Sequence, residues 1–389
     1  MKIRVERDAL ADAVAWVARS LPNRPTAPIL AGLLMNASGD EVTLSSFDST
    51  TSAQVTMPAE VTDEGTVLVS GRLLNEIARS LPNKPVEMVS DHTQVELICG
   101  SARFSLQTLP VEEYPTLPEM PTQTGLVDAS VFEKSVSQVV IAAGRDELLN
   151  VFTGVRVEIN GDRLSLLATD RYRMALKELT WQPSSPDIEG AVLVPGRVLA
   201  DTAKSLTSGK TVTVSLSTTE SEGEGLVGFT GEGAKSRREA TTRLLNQAFP
   251  KVRHLMDVVG TVTVRVPTAD LLAAVKRVSL VAERNTPLRM LIEDDHISLE
   301  AATGDQAHAS EAIEAQVGVV GVVGEEKSIE AAGFNPHYLL DALGALDAPY
   351  AHFSFTAPGK PCLITGLATI DGDQLFDYRH VIMLMRLPS

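Results

Sequence analysis

At 389 residues the chain is long enough for two to four domains, and 44% hydrophobic content with only 4% aromatics points to aliphatic packing on strands and helices. A net charge of -16 argues against a free-standing nucleic-acid binder, which is usually basic overall, although one cationic surface can coexist with an acidic remainder. The opening MKIRVER carries no apolar stretch of signal or membrane type, so a cytosolic location is expected. Cys99 and Cys362 have no companion at metal-ligand spacing and read as buried thiols.

In chain order, the strand-like opening leads into a helix pattern, ERDALADAVAWVARSL, and then into paired strands, LLMNASGDEVTLSSFDSTTSAQV, around the turn Ser38-Gly39-Asp40. TVLVSGRLLNEIARSLPNKPVEM, from Thr66, reads strand, turn, Gly-Arg, helix, turn, strand. The stretch 107–125 holds four prolines and reads as a linker. The series then repeats. VDASVFEKSVSQVVIAAG gives a helix, and VRVEINGDRLSLLATDRYRMALKEL gives strands around Asn160-Gly161-Asp162. AVLVPGRVLADTAKSLTSGKTVTV, from Ala191, copies the Thr66 stretch in register 125 residues later. A second linker follows from Leu244, and then VTVRVPTADLLAAVKRVSLVAER, a strand and a helix running from Val262 to Arg284. MLIEDDHISLEAATGDQAHASEAI and KSIEAAGFNPHYLLDALGALD complete a third copy, the last with a helix start at Asn335-Pro336. The expectation is an α+β chain of three similar domains, 1–121, 122–254 and 255–389, each with two helices packed on antiparallel sheets.

The helices have two distinct sides. Leu271, Val275, Val278 and Ala282 fall on one side of the opening helix of the third copy, and Ala273, Lys276, Arg277 and Arg284 fall opposite. Leu73, Leu74 and Ile77 mark the buried side in the first Gly-Arg helix, and Val198, Leu199 and Thr202 in the second. Arg72 with Arg79 and Arg197 with Lys204, each pair seven residues apart, give both a basic outer side. In the Asp128 helix, Phe132, Val136 and Val139 point inward, and Ser130, Lys134, Ser137 and Gln138 outward. Leu280 lies on the charged side of its helix, where an exposed leucine marks a subunit seam.

Little in the chain resembles catalytic chemistry. Gly223-x-Gly225-x-x-Gly228 matches a dinucleotide fingerprint only as a pattern, because strand-like residues follow it where a helix would have to begin. Glu112-Glu113 and Glu325-Glu326 read as solvated surface, His296 belongs to a turn, and the seven histidines show no ligand spacing. Asn36-Ala37-Ser38 would accept glycan only in a secreted protein. No metal or cofactor is expected.

The chain resembles the bacterial sliding clamp, the β subunit of DNA polymerase III, over its whole length. The likeness is carried by MKIRVERDAL, by Asn23-Arg24-Pro25-Thr26-Ala27-Pro28-Ile29-Leu30, by Ala168-Thr169-Asp170-Arg171-Tyr172-Arg173, by Phe249-Pro250-Lys251 and by Tyr378-Arg379-His380-Val381-Ile382-Met383. The resemblance implies a DNA clamp fold and a head-to-tail homodimeric ring lined by helices. Twelve helices, each about 10 Å across, give a circumference of ~120 Å and a hole near ~40 Å wide, enough for a duplex. Arg24, Arg72, Arg79, Lys134, Arg197, Lys204, Lys276 and Arg277 would then face phosphate in a diffuse, sequence-blind and salt-sensitive attraction.

By the same resemblance, Phe104, Leu280 and Val281 match the dimer seam. Polymerase, clamp loader and repair proteins would insert short hydrophobic motifs into a pocket formed by Phe152, Thr169, Arg171, Tyr172, Arg173, Met174, Pro250, Leu255, Val381, Met383, Leu384, Met385 and Arg386. Two positions depart from the family pattern: Phe152 stands where leucine is common, and Leu384 where the tail usually has proline. These departures raise two readings, a pocket that discriminates against some bulky or rigid ligand, as in a drug-tolerant second copy of the clamp, and neutral drift. The alternatives are an enzyme using an inter-domain cleft, and a regulatory paralogue that docks partners without encircling DNA.

Overall fold

The computed structural model describes residues 1–91, 93–217, 225–283, 286–319 and 329–387. Among these, six helices of ten residues or more recur: α1 (Arg7–Val17), α2 (Gly71–Ser80), α3 (Ala129–Val140), α4 (Gly196–Ser205), α5 (Thr268–Val278) and α6 (Pro336–Ala345). None is long and apolar enough to cross a membrane. Each helix lays an apolar stripe on antiparallel strands. In α5, Leu271, Ala274, Val275 and Val278 are buried at helical spacing while Lys276 and Arg277 are exposed. The α6 start is capped as its sequence predicts, with the Asn335 side chain accepting from the His337 and Tyr338 amides and Pro336 at the first position.

The structure corrects several sequence expectations. The helix from Thr268 stops at Val278, and Ser279–Val281 tightens into a 3-10 turn, so Ala282 is extended and does not continue the buried face; Arg284 lies outside the described residues. Leu73 is 45% exposed, because the buried arc of α2 is Leu74, Ile77 and Ala78, three and four residues apart. Gln138 is buried rather than outward, its amide donating to the Ala345 carbonyl at 2.7 Å. The first linker is shorter at both ends, since 107–109 finish the strand Ala102–Leu109 and 123–125 begin the strand Gln123–Asp128. Cys99 and Cys362 are both buried. Gly228 sits inside the strand Leu226–Glu232, whereas Gly223, Glu325 and Glu326 fall outside the described residues.

The chain forms two compact units: Met1–Glu133 with Thr180–Glu189 and Arg197–Asn246, and Lys134–Leu179 with Gly190–Gly196 and Gln247–Ser389. This division follows the sheets rather than the threefold repeat. In the first unit, fourteen strands among the described residues form one continuous order in which Thr51–Pro58 pairs with Arg237–Arg243, Thr51 opposite Thr242. In the second unit, a nine-stranded sheet joins Arg173–Thr180 to Gln374–Ile382, Arg173 opposite Ile382, beside a sheet of four strands. Strands from neighbouring thirds of the sequence thus hydrogen-bond to one another, so no edge is left open where they meet.

The turn before each joining strand is also repeated. The Asp48 carboxylate accepts the amides of Thr50 and Thr51 at 2.9 and 2.7 Å, and Asp170 accepts those of Tyr172 and Arg173, both at 3.0 Å. The residue after each aspartate is left-handed, Ser49 at φ 83° and Arg171 at φ 81°. For residues with a Cβ such backbone costs on the order of 1–3 kcal/mol, which the aspartate's hydrogen bonds to the turn offset.

Candidate functional site

A cleft of about 230 Å³ opens on one face of the nine-stranded sheet. Its floor is Thr169, Met174 and Val381, its sides are Phe152, Arg171, Arg173 and Met383, and Pro250, Val252 and Leu255 of the segment crossing the sheet complete the wall. Met174 and Val381 are buried by strand alternation, each directly opposite the other in the ladder. Nine of the thirteen pocket residues named above, all but Tyr172, Leu384, Met385 and Arg386, therefore share one cavity with Val252, which the sequence reading missed.

The other four lie beside the cavity. Tyr172 is 55% exposed, and its carbonyl accepts the Met383 amide at 2.8 Å. Past Met383 the tail turns away from the cleft: Leu384 and Arg386 are not on its wall, and the Met385 amide donates to the Gly333 carbonyl at 2.8 Å. Contrary to the expectation from the sequence, only Met383 of the tail residues closes the cavity, because this backbone bond holds Met385 against the four-stranded sheet.

Charges frame the cleft without filling it. Arg173, 8% exposed, bridges Asp170 at 3.0 Å and Asp341 at 2.5 Å, with its guanidinium 4.4 Å from the Tyr338 ring centre. Tyr338 and Asp341 were also missed by the sequence reading, since their spacing from Arg173 carries no local signal. Arg171 places its guanidinium 5.7 Å from the ring centres of both Phe152 and Tyr172. The crossing segment is pinned by ion pairs: Arg253 to Glu158 at 2.5 Å and to Glu178, and Arg379 to Glu178 at 2.7 Å and Asp257 at 2.8 Å. On the other face of the last strand, His380 is fully buried, its Nδ1 3.0 Å from the Tyr378 hydroxyl. Burial first, then the nearby Arg173 charge, push its pKa down to about 3, so the ring is neutral at pH 7. Such a site can bury apolar side chains and fix a peptide backbone. Arg173 is committed to ion pairs that hold the wall, whereas Arg171 lies over the rings of Phe152 and Tyr172 and has no ion pair among the described residues.

The eight cations proposed to face phosphate are all exposed. They are not equally available. Lys134 is ion-paired with Asp347, and Arg277 makes two hydrogen bonds to Glu311, at 3.0 and 2.5 Å, which raise its pKa. Arg197 lies 4.0 Å from Asp201, and Arg72 donates to the Asn23 carbonyl at 3.1 Å, bringing the Arg24 loop beside α2. Among the described residues, Arg24, Arg79, Lys204 and Lys276 take part in no ion pair. Of the three seam residues, Leu280 is 85% exposed, Val281 is half-buried, and Phe104 packs partly against the first core.

Residues 1–118, 126–251 and 254–386 match, in turn, the N-terminal, central and C-terminal domains of the DNA polymerase III beta subunit family. The beta sliding clamp of Streptomyces coelicolor is 51% identical over 387 residues, covering 100% of both chains. A beta sliding clamp homolog, GriR, of Streptomyces muensis is 41% identical over 99% of both. The crystal structure of a Pseudomonas aeruginosa sliding clamp bound to griselimycin shares the fold, with a TM-score of 0.86 at 23% identity over 100% of both chains. With all three of its domains matched and a relative of this identity along its full length, the chain belongs to the DNA polymerase III beta subunit family, the bacterial beta sliding clamps.

Proposed function

We infer that this chain is a DNA sliding clamp, a non-catalytic processivity factor of DNA polymerase III that closes as a homodimer around duplex DNA. The observation that carries the inference is the match of all three family domains along the chain, with exposed lysines and arginines recurring on the helices of each. Holding DNA is then topological. Contacts with phosphate need only be weak and sequence-blind, so they let the ring slide rather than brake it. We assign the domains to 1–121, 122–254 and 255–389, and the seam to Leu280 and Val281 of one protomer against Phe104 of its partner.

The apolar cleft is the tether. Replicative polymerase, clamp loader and repair proteins would each offer a short hydrophobic motif, and one shared cleft makes them take turns. Leucine and phenylalanine anchors bury apolar area at about 25 cal/mol per Å², and Met174 and Met383 adapt to different shapes. Primer extension on a circular template with polymerase and clamp loader tests this reading. Products should lengthen to full circles only when this protein is added; unchanged product length with an intact dimer would refute it.

A second reading, a copy with a cleft tolerant of a drug-like ligand, is supported by Phe152, whose ring stands in the cleft wall under the Arg171 guanidinium. Its test compares a clamp-binding peptide with a cyclic peptide inhibitor on the wild type and on Phe152→Leu with Leu384→Pro. Unchanged affinity ratios would sink it.

A further inference from the structure

Farther along the nine-stranded sheet lies a second cavity, of about 490 Å³, which shares no lining residue with the cleft. Val262, Val264 and Val266 turn into the core, so Thr263 and Arg265 face the other way. The ladder then aligns a polar row across four strands, with Arg265 opposite His352, His352 opposite Thr365, and Thr365 opposite Arg379. Arg265, His352 and Arg379 of that row line the cavity, as do Leu363, Phe376 and the part of the crossing segment from Met256 to Gly260. The row is rich in donors that the protein itself leaves unused. His352 is 2% exposed, and neither of its ring nitrogens has a hydrogen-bond partner among the described residues. The Arg379 Nε is likewise buried and unpartnered, although Nη1 and Nη2 donate to Asp257 at 2.8 Å and Glu178 at 2.7 Å. The Gln374 side-chain oxygen accepts from the Thr365 hydroxyl at 2.9 Å, so what that amide has left to offer is its NH₂.

We propose that this cavity binds a small organic carboxylate, its charged group on the donor row and its apolar body against Leu363 and Phe376. Buried polar atoms are as a rule partnered, and a row of orphaned donors calls for an acceptor. The charges call for a single negative one. Asp257 and Glu178 answer Arg379, whereas the Arg265 guanidinium forms no ion pair among the described residues and donates from Nη1 to the Ile370 carbonyl at 2.9 Å. The neighbouring Asp371 accepts instead from the Gln316 amide at 3.1 Å. One uncompensated guanidinium among neutral donors suits a carboxylate, which it can meet through two parallel N–H bonds, better than a dianion. The volume is that of a small-molecule site, and the apolar wall leaves room for an aryl or alkyl body. The site does not depend on encirclement of DNA, so it stands or falls separately from the clamp reading.

Full-length protein carrying ¹³C-methyl methionine reports Met256, in the wall of this cavity, separately from Met174 and Met383 in the cleft. Titration with phenylacetate should move the Met256 signal saturably and leave the other two in place. Phenylacetamide keeps the ring without the charge, and acetate keeps the charge without the ring; each should bind roughly ten-fold more weakly. Arg265→Gln should weaken phenylacetate by a similar roughly ten-fold factor and leave phenylacetamide unchanged. Phe376→Ala should weaken phenylacetate and leave acetate unchanged. The absence of a saturable Met256 shift, or equal binding of phenylacetamide, acetate or inorganic phosphate, would each overturn the proposal. So would parallel shifts of Met174 and Met383, because the cleft would then be where the probe binds. Phe376 is 51% exposed, so its variant keeps the test decisive even where Arg265→Gln, which gives up the bond to Ile370, disturbs the strand.

Discussion

Met383→Ala probes the cleft where the tail meets it. Three heavy atoms are lost beyond Cβ, which at about 0.8 kcal/mol per methylene-sized group comes to ~2.4 kcal/mol of burial. The residue is 41% exposed in the free protein, so a docking peptide can remove only that share from water. The expected loss of binding is therefore about 1 kcal/mol, roughly a five-fold weaker Kd. The backbone bond from the Met383 amide to Tyr172 survives the substitution, so the tail keeps its course. Fluorescence anisotropy with a labelled peptide carrying leucine and phenylalanine anchors measures the effect. Leu375→Ala is the matched control, with 40% exposure but no place on the cleft wall, and should leave affinity unchanged. Equal effects at the two positions, or none at Met383, would refute the assignment of the cleft as the peptide site.

Salt dependence separates the cations. Joint replacement of Arg79, Lys204 and Lys276 by alanine removes six cations from the homodimer and should lower the slope of log affinity against log salt by up to about 5, whereas Arg277→Ala, whose charge is already engaged by Glu311, should change it less; DNA binding in a salt series checks both. Leu280→Asp places a charge on an 85% exposed side chain, so ultracentrifugation should show a shift from dimer to 41.6 kDa monomer with little change in the unfolding midpoint. Burial, with Arg265 nearby, holds His352 down to about 4, as burial and Arg173 hold His380 down to about 3. The unfolded chain, with histidines near pKa ~6.5, therefore binds more protons, and stability should fall as pH drops below ~6.5 towards 4, by up to about 1.4 kcal/mol per pH unit for each ring. His352→Phe, which removes two buried nitrogens lacking hydrogen-bond partners among the described residues, should flatten that slope in urea titrations at several pH values.

What the sequence makes legible is periodic or local. The stripes of α1 to α6, the Asn335 cap and the glycine turns at Gly39 and Gly161 all follow from neighbours within a few residues. Most of the cleft was also within reach, because Thr169 to Met174 and Pro250 to Leu255 are contiguous runs. Val252 lies inside one of those runs and was visible there. What periodicity does not encode is a partner far along the chain. Gln138 looks like a surface residue until the Ala345 carbonyl is found 207 positions away. Arg173 gives no hint of Asp341, and the course of the tail past Met383 is set by Gly333 rather than by its own composition.

The interlaced sheets bear on how this chain can be cut. A fragment confined to the middle third of the sequence would carry away Arg173–Thr180 without Gln374–Ile382, and Arg237–Arg243 without Thr51–Pro58. Both strands would surrender their backbone partners to water or to another copy, and bare edges of that kind invite aggregation. The middle stretch, although matched by a family domain of its own, is thus unfit to live alone, and its solubility depends on a loan of strands from either side.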